Sequence, residues 1–172
     1  MSQLIAPDLH VPATGGPAGG GGSFSRILVP VDSFGQSAAA LPVAAQLATT
    51  VGGGQLRIVH VRTWDPYGKG PGRFFFETSA EATAILERAL TGVWASGATA
   101  SGVVVEAPRS LAATAIATQA ASWQADLIVV ARRPRSPLGI LLLGSPPDEV
   151  MRVAHCPVLV VRQDRQDRQG QR

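Results

Sequence analysis

Five short apolar runs, separated by longer amphipathic segments, constrain this fold more than any other feature of the sequence. Each run is rich in β-branched residues, and the first ends in the carboxylate of Asp32. Nearly continuous apolar runs are typical of strands covered on both faces, as in parallel sheets. The runs are Arg26–Asp32, Leu56–Val61, Gly102–Glu106, Asp126–Ala131 and Pro157–Val161.

The segments between the runs have the spacing and the capping residues of helices. One of them begins with Thr78-x-x-Glu81, a capping box in which each side chain binds the other residue's amide. Ser110 is a candidate N-cap for the next helix. The predicted helices are Ser37–Thr50, Thr78–Ser96, Leu111–Trp123 and Asp148–Val153. This alternation predicts an α/β fold with a five-stranded, mostly parallel sheet and right-handed crossovers.

The two ends of the chain differ in composition from this alternating segment. Residues 1–25 hold six of the 19 glycines and lack hydrophobic periodicity, and Gln163–Arg172 contains no apolar residue. We therefore predict a disordered Gly/Pro-rich arm over 1–25, one folded domain over 26–162, and a polar disordered tail over 163–172.

Charge and composition argue against several classes of protein. The net charge of +3 forms no dense basic stripe, so nucleic acid is not an expected partner. No apolar run approaches the roughly 20 residues of a membrane span, and residues 1–22 lack the regions of a signal peptide, so we expect a cytoplasmic protein. The single Cys156 provides neither a disulfide framework nor a cysteine zinc site. No metal site or catalytic signature is present.

Ligands of open α/β sheets bind beyond the carboxyl ends of the strands, at the point where strand order reverses. In this chain those positions are Asp32, residues 61–64 and residues 131–145. The last segment contains Arg132, Arg133 and Arg135. Arginine binds phosphate through two parallel hydrogen bonds, and the helix N-terminus that follows favours an anion.

Motifs in these runs resemble the universal stress protein family over about Arg26–Arg162. They are ILVPVD at Ile27–Asp32, IVHV at Ile58–Val61, DLIVVA at Asp126–Ala131, LLLGS at Leu141–Ser145 and CPVLVV at Cys156–Val161. The resemblance implies a Rossmann-like sheet with strand order 3-2-1-4-5 and helices on both faces. It also implies a homodimer that pairs the final strands, Pro157–Val161, and in one branch of the family ATP in the crevice.

The resemblance and the loop arginines together select the candidate cofactor-binding residues. Asp32 is expected to bind a ribose hydroxyl or adenine, the alternative being a carboxylate that caps a nearby turn. The full set is Pro30, Val31, Asp32, Val61, Ala131, Arg132, Arg133, Arg135, Gly144 and Ser145.

The loop after the fourth strand departs from the pattern of the ATP-binding branch, which reads Gly-x2-Gly-x9-Gly followed by Ser or Thr. Gly144 and Ser145 match its end, but Ala131 and Pro134 stand at the two earlier glycine positions. Pro146 then lacks an amide hydrogen at the start of the helix. A charge-assisted hydrogen bond contributes ~1.5–3 kcal/mol, so losing one donor weakens ATP binding roughly ten- to hundredfold.

Three functions remain open on the sequence. The first is an ATP-binding stress protein that uses Asp32, Gly144, Ser145 and the loop arginines. The second is a nucleotide-independent interaction module of the same fold. The third is an enzyme acting on a nucleotide or phosphate, for which Asp32 is the one candidate group. The loop departures favour a regulatory stress-response dimer with weak or altered nucleotide binding, and not an enzyme.

Three further features are expected to be structural. His60 lies inside an apolar strand and is predicted to be a hydrogen-bonded core residue. Cys156 opens an apolar strand and is predicted to be a buried, inert thiol. Phe74–Phe76 is expected to cover the core or a partner chain.

Overall fold

A six-stranded sheet with helices on both faces forms the framework of the chain. The computed structural model describes residues 24–32, 39–50, 52–67, 72–132 and 146–162. In chain order its elements are β1 (Arg26–Val31), α1 (Ala40–Thr50), β2 (Gln55–Tyr67), β3 (Gly72–Phe75), α2 (Ser79–Ala95), β4 (Thr99–Pro108), α3 (Ala112–Ser122), β5 (Leu127–Arg132), α4 (Pro146–Val153) and β6 (Val158–Arg162). Among these helices none is long and apolar enough to cross a membrane.

Five of the strands are parallel and lie side by side in the order β4-β2-β1-β5-β6. Counted along the chain without β3, this is the order 3-2-1-4-5, so the predicted α/β fold with a mostly parallel sheet is confirmed. The predicted start of the first helix and nearly all of the predicted arm and tail lie outside the described residues.

The sequence did not predict the sixth strand, β3, which makes the sheet mixed. β3 is antiparallel to the carboxyl end of β2, with Trp64 opposite Phe75 and Tyr67 opposite Gly72. Trp64 is also paired with Pro108 of β4. Since a strand has only two edges, β3 lies on the edge of β2 that faces β1, beyond the end of β1.

Alternate side chains of the sheet enter two separate cores, as the two-residue period of strands requires. One core lies between the sheet and helices α1 and α2, and it contains Ile27, Val29 and Val31 of β1. The other lies between the sheet and helices α3 and α4, and it contains Leu28. We call these two sides of the sheet the α1/α2 face and the α3/α4 face.

The helix ends confirm one predicted cap and correct another. The Thr78 amide donates to Glu81 Oε2 at 2.7 Å and the Glu81 amide donates to Thr78 Oγ1 at 3.2 Å, which is the predicted capping box. The Glu81 carboxylate accepts hydrogen bonds from the Thr78 amide and, at 2.8 Å, from the Thr78 hydroxyl, and these two bonds, the amide first, lower the pKa of Glu81. The prediction for Ser110 was wrong, because a 3-10 turn over Arg109–Leu111 precedes α3 and the residue at the N-cap position is Leu111.

Gly102 is the position at which α2 approaches the sheet most tightly among the described glycines in strands and helices. A Cβ atom added there would lie 2.8 Å from Cδ1 of Leu86 and 2.9 Å from Cδ1 of Leu90. Both leucines are buried in the α1/α2 core, where close packing resists the shift that an added methyl group would require.

We therefore expect Gly102→Ala to destabilise the fold by about 1–3 kcal/mol through overpacking. Gly92→Ala is the matched control, because a Cβ at Gly92 would meet nothing within 4 Å and alanine is the better helix former by about 1 kcal/mol. Urea unfolding should move the two midpoints in opposite directions. Equal midpoints for both variants would contradict the packing at Gly102.

Candidate functional site

The sheet opens at the carboxyl ends of β1 and β5, because the ladder between these strands stops early. It comprises the pairs Ile27–Leu127 and Leu28–Ile128 and extends no further among the described residues. On the other edge of β1, the ladder between β1 and β2 continues as far as Val31, which lies opposite His60. The result is a crevice between β1 and β5 at the point where strand order reverses, the usual ligand position in such sheets.

Pro30 explains why the ladder ends. The Arg26 carbonyl accepts a hydrogen bond from the Asp126 amide at 2.9 Å, so the backbone groups of Arg26 point toward β5. Because backbone direction alternates along a strand, the backbone groups of Leu28 and Pro30 point toward β5 as well. The next hydrogen bond of the ladder would need an amide hydrogen on residue 30. Proline has none, and the ladder between the two strands therefore ends at Leu28.

The crevice brings together side chains from three strands on the α3/α4 face. Val61 packs against the core on that face, and Asp32 has the same orientation as Leu28 by alternation along the chain. Arg132 of β5 reaches α4 on this face as well, where it contacts Asp148. Asp32, Val61 and Arg132 thus line one end of the sheet from β1, β2 and β5.

Two predicted site residues point away from this crevice. The side chains of Val31 and Ala131 belong to the α1/α2 core, so these residues have only backbone groups to offer a ligand on the α3/α4 face. The remaining predicted positions, Arg133, Arg135, Gly144 and Ser145, lie outside the described residues, and so does Pro134. Pro146 is the first residue of α4.

An ion pair neutralises the arginine of the crevice. The Nη2 atom of Arg132 donates to both carboxylate oxygens of Asp148, at 2.9 and 3.0 Å. Asp148 and Glu149 both lie in the first turn of α4, where carboxylates interact favourably with the helix dipole. A phosphate arriving here would therefore meet a paired guanidinium and a helix end that already holds negative charge.

His60, which sequence reasoning placed in the core as a hydrogen-bonded residue, links β1 to the segment before α2. Its side chain is 3% exposed. Nδ1 lies 2.9 Å from the Val31 carbonyl oxygen and Nε2 lies 2.6 Å from Glu77 Oε1. The carbonyl can only accept, so Nδ1 is the donor toward β1, and Nε2 lies within hydrogen-bond distance of the carboxylate. The predicted core role is confirmed.

Arg62 extends this network to the neighbouring strands. It donates from Nε to the Glu77 carbonyl at 3.0 Å and from Nη1 to Glu106 Oε1 at 2.6 Å. Its guanidinium also lies 3.8 Å from the centre of the Phe75 ring in β3. Sequence reasoning missed Glu77 as a site residue because its partners lie 17 and 15 positions away and no motif connects them.

The described residues give no indication of metal or thiol chemistry. No group of three or more potential metal ligands occurs among them. Cys156 is partly buried, and burial, followed by the negative charge of Asp126, raises the pKa of its thiol. Little of the reactive thiolate is therefore present at neutral pH, in line with the prediction of an inert thiol.

Known proteins that resemble the chain in sequence are universal stress proteins. The sequence profile of the universal stress protein family matches residues 23–162. A curated protein of Thermus aquaticus, named "Universal stress protein in QAH/OAS sulfhydrylase 3'region", is 34% identical over 142 residues. That alignment covers 81% of this chain and 99% of the relative.

Solved structures with the same architecture carry the same description. A universal stress protein from Archaeoglobus fulgidus is 27% identical with a TM-score of 0.63, and the match covers 80% of this chain and 98% of that one. A universal stress protein in complex with cAMP is 26% identical with a TM-score of 0.63, covering 83% and 99% of the two chains.

The His60–Glu77 contact can be tested by its effect on stability. Glu77→Ala should cost about 1–3 kcal/mol, since it leaves Nε2 of a buried ring without its partner. Glu106→Ala is the matched control: it removes the carboxylate that pairs with Arg62 but is itself about one third exposed, and should cost no more than about 1 kcal/mol. Urea unfolding at neutral pH compares the two. Equal losses would show that the histidine contact contributes nothing beyond an exposed ion pair.

Proposed function

The chain belongs to the universal stress protein family, and from that premise we propose that it is a cytoplasmic, non-catalytic regulatory dimer of the stress response that binds an adenine nucleotide weakly. The nucleotide would occupy the crevice between β1 and β5. Its occupancy would bias dimerisation or the choice of partner protein.

One observation carries this proposal: the ladder between β1 and β5 ends at Leu28 and Ile128, and polar and apolar groups converge on the gap. In the proposed complex, Asp32 binds a ribose hydroxyl or the adenine, while Pro30 and Val61 contact the nucleoside with apolar atoms. Val31 and Ala131 contribute backbone groups. Phosphate contacts are assigned to Arg132, Arg133, Arg135, Gly144 and Ser145.

The charges around α4 support weak binding of a polyphosphate. Arg132 is held by Asp148, and Glu149 adds a second carboxylate to the same helix turn. Pro146 and Pro147 have no amide hydrogens to donate at this helix end, where phosphates usually bind free amides. These features oppose a triphosphate more than a ligand with a single negative charge.

The structural neighbour in complex with cAMP supports an adenine ligand of low charge. Its cyclic phosphate carries one negative charge, compared with about four on ATP at neutral pH. We therefore propose that this chain binds adenosine monophosphates in preference to ATP. The alternative, a genuine ATP-binding protein that uses Gly144, Ser145 and the loop arginines, predicts the opposite order.

Asp148→Asn tests the electrostatic part of the proposal. Removing the partner charge of Arg132 should strengthen ATP binding roughly three- to tenfold, because the guanidinium can then pair with a phosphate. Glu149→Gln is the matched control, because it makes the same change in charge but keeps the Asp148 carboxylate paired with Arg132, and it should change affinity twofold or less. Isothermal titration with AMP, cAMP and ATP measures the effect, which should shrink at high salt.

Three other outcomes would contradict the proposal. Stoichiometric ATP recovered from natively purified protein would support the ATP-binding alternative. An absence of heat and of thermal shift with millimolar AMP, cAMP and ATP would make the chain a nucleotide-independent module. ATP turnover that disappears in Asp32→Ala would make it an enzyme.

The edge strand β6 supports the proposed dimer. Among the described residues β6 pairs with β5 alone, and Leu159 is 38% exposed. The Pro157 carbonyl accepts a hydrogen bond from the Ile128 amide at 3.0 Å. By alternation, the backbone groups of Leu159 point toward β5, whereas those of Val158 and Val160 point toward the open edge. An apolar open edge is a ready template for pairing with a second chain.

Val160→Pro should convert a dimer into a monomer. Proline removes the amide that faces the open edge and leaves the ladder to β5 intact, a position at which edge strands tolerate it. Val160→Ala is the matched control, since it shortens the side chain but keeps the amide and should remain dimeric. Sedimentation at micromolar concentration distinguishes the variants. A monomeric wild type, or a dimeric Val160→Pro variant, would exclude pairing through β6.

A further inference from the structure

An exposed aromatic surface lies beside the crevice and is not used by the proposed function. Phe74 is 54% exposed and Phe76 is 50% exposed. Their rings contact edge to face, with 5.5 Å between centroids. The guanidinium carbon of Arg109 lies 5.2 Å from the centre of the Phe76 ring. We call these three residues the aromatic platform.

The register of the sheet places this platform directly beyond Asp32. Val31 is opposite His60 of β2, so Asp32 lies beside Val61. The Phe76 amide donates to the Thr63 carbonyl at 3.3 Å, on the same edge of β2. Two residues of strand separate these positions, which is about 7 Å.

The aromatic platform is also on the same face as the crevice. Phe75 contacts Arg62, whose guanidinium bonds to the residue before the α2 cap, so Phe75 points to the α1/α2 face. Phe74 and Phe76 therefore point to the α3/α4 face by alternation. Arg109 agrees, because it lies in the turn that leads into α3.

The contacts of Glu77 hold the platform in place. Glu77 follows Phe76 directly, and both its carboxylate and its carbonyl are bonded, to His60 and to Arg62 respectively. A fixed platform loses little conformational entropy when a ligand binds. Exposed rings held in this way are suited to stacking against another planar group.

The chemistry of the platform favours a nucleobase. Bases outside a duplex are bound by stacking on aromatic side chains and on arginine guanidinium planes. Two phenylalanine rings and one arginine offer both. Its three residues are few compared with the roughly 20–30 that each partner contributes to a stable protein interface, which argues against a protein as its occupant.

We propose that the aromatic platform is a second base subsite, and that the chain binds dinucleotides whose first adenine occupies the crevice while the second base stacks on Phe76. This inference rests on the proposed function, since the first base needs the crevice. The linking phosphates of such a ligand would span the roughly 7 Å of strand rise that separates the positions of Asp32 and Phe76 along β2.

Titration calorimetry with AMP and with diadenosine compounds carrying one to four linking phosphates tests the proposal. Stacking of one base strengthens binding roughly five- to hundredfold, so at least one dinucleotide should bind the wild type five times more tightly than AMP. Phe76→Ala should abolish this gain and leave AMP affinity within twofold. Phe24→Ala is the matched control, because Phe24 is 40% exposed and precedes the amino end of β1, at the opposite end of the parallel strands.

The outcomes separate this inference from the proposed function. If AMP binds but no dinucleotide binds more tightly than AMP, the second subsite is refuted and the proposed nucleotide site in the crevice is not. Equal weakening of AMP and dinucleotides in Phe76→Ala places the first base on the platform and also overturns it. A change of sedimentation in Phe76→Ala but not in Phe24→Ala would assign the platform to a protein contact. Failure of both ligand classes to bind the wild type refutes both proposals.

Discussion

A missing amide hydrogen at Pro30 limits the ladder between β1 and β5 and so defines the crevice at the carboxyl ends of these strands. β1 is the central strand, and it needs partners on both edges to be buried. It has β2 along its whole length, but its ladder to β5 is limited to two pairs because proline cannot donate the next hydrogen bond. The same strand therefore contributes side chains to both cores and borders the gap between β1 and β5.

The groups around that gap reflect opposing electrostatic requirements. Arg132 would attract a phosphate, but its pairing with Asp148 fixes the first turn of α4 against β5. Carboxylates at this turn stabilise the helix through its dipole and at the same time repel an anionic ligand. The carboxylates that stabilise α4 are thus the same groups that lower the affinity for a polyphosphate.

Local features of the sequence predicted most of the fold and part of the site. β-branched runs located the five parallel strands, and Thr78 with Glu81 located the start of α2, because these signals are encoded within a few residues. β3 was missed since its four residues, Gly72–Phe75, become a strand only by pairing with β2. The Arg132–Asp148 and His60–Glu77 contacts were missed for the same reason: each joins residues at least 16 positions apart.

The length of β2 has an evolutionary consequence. Its 13 residues extend past the end of β1, and within the described residues β3 pairs with this extension and with no other strand. The hairpin formed by β3 and the end of β2 borders the crevice, but in the described part of the chain β3 contributes no pairing to the other parallel strands. Substitutions or insertions in the hairpin can change the shape of the crevice border, while the strands that fold the domain remain unchanged.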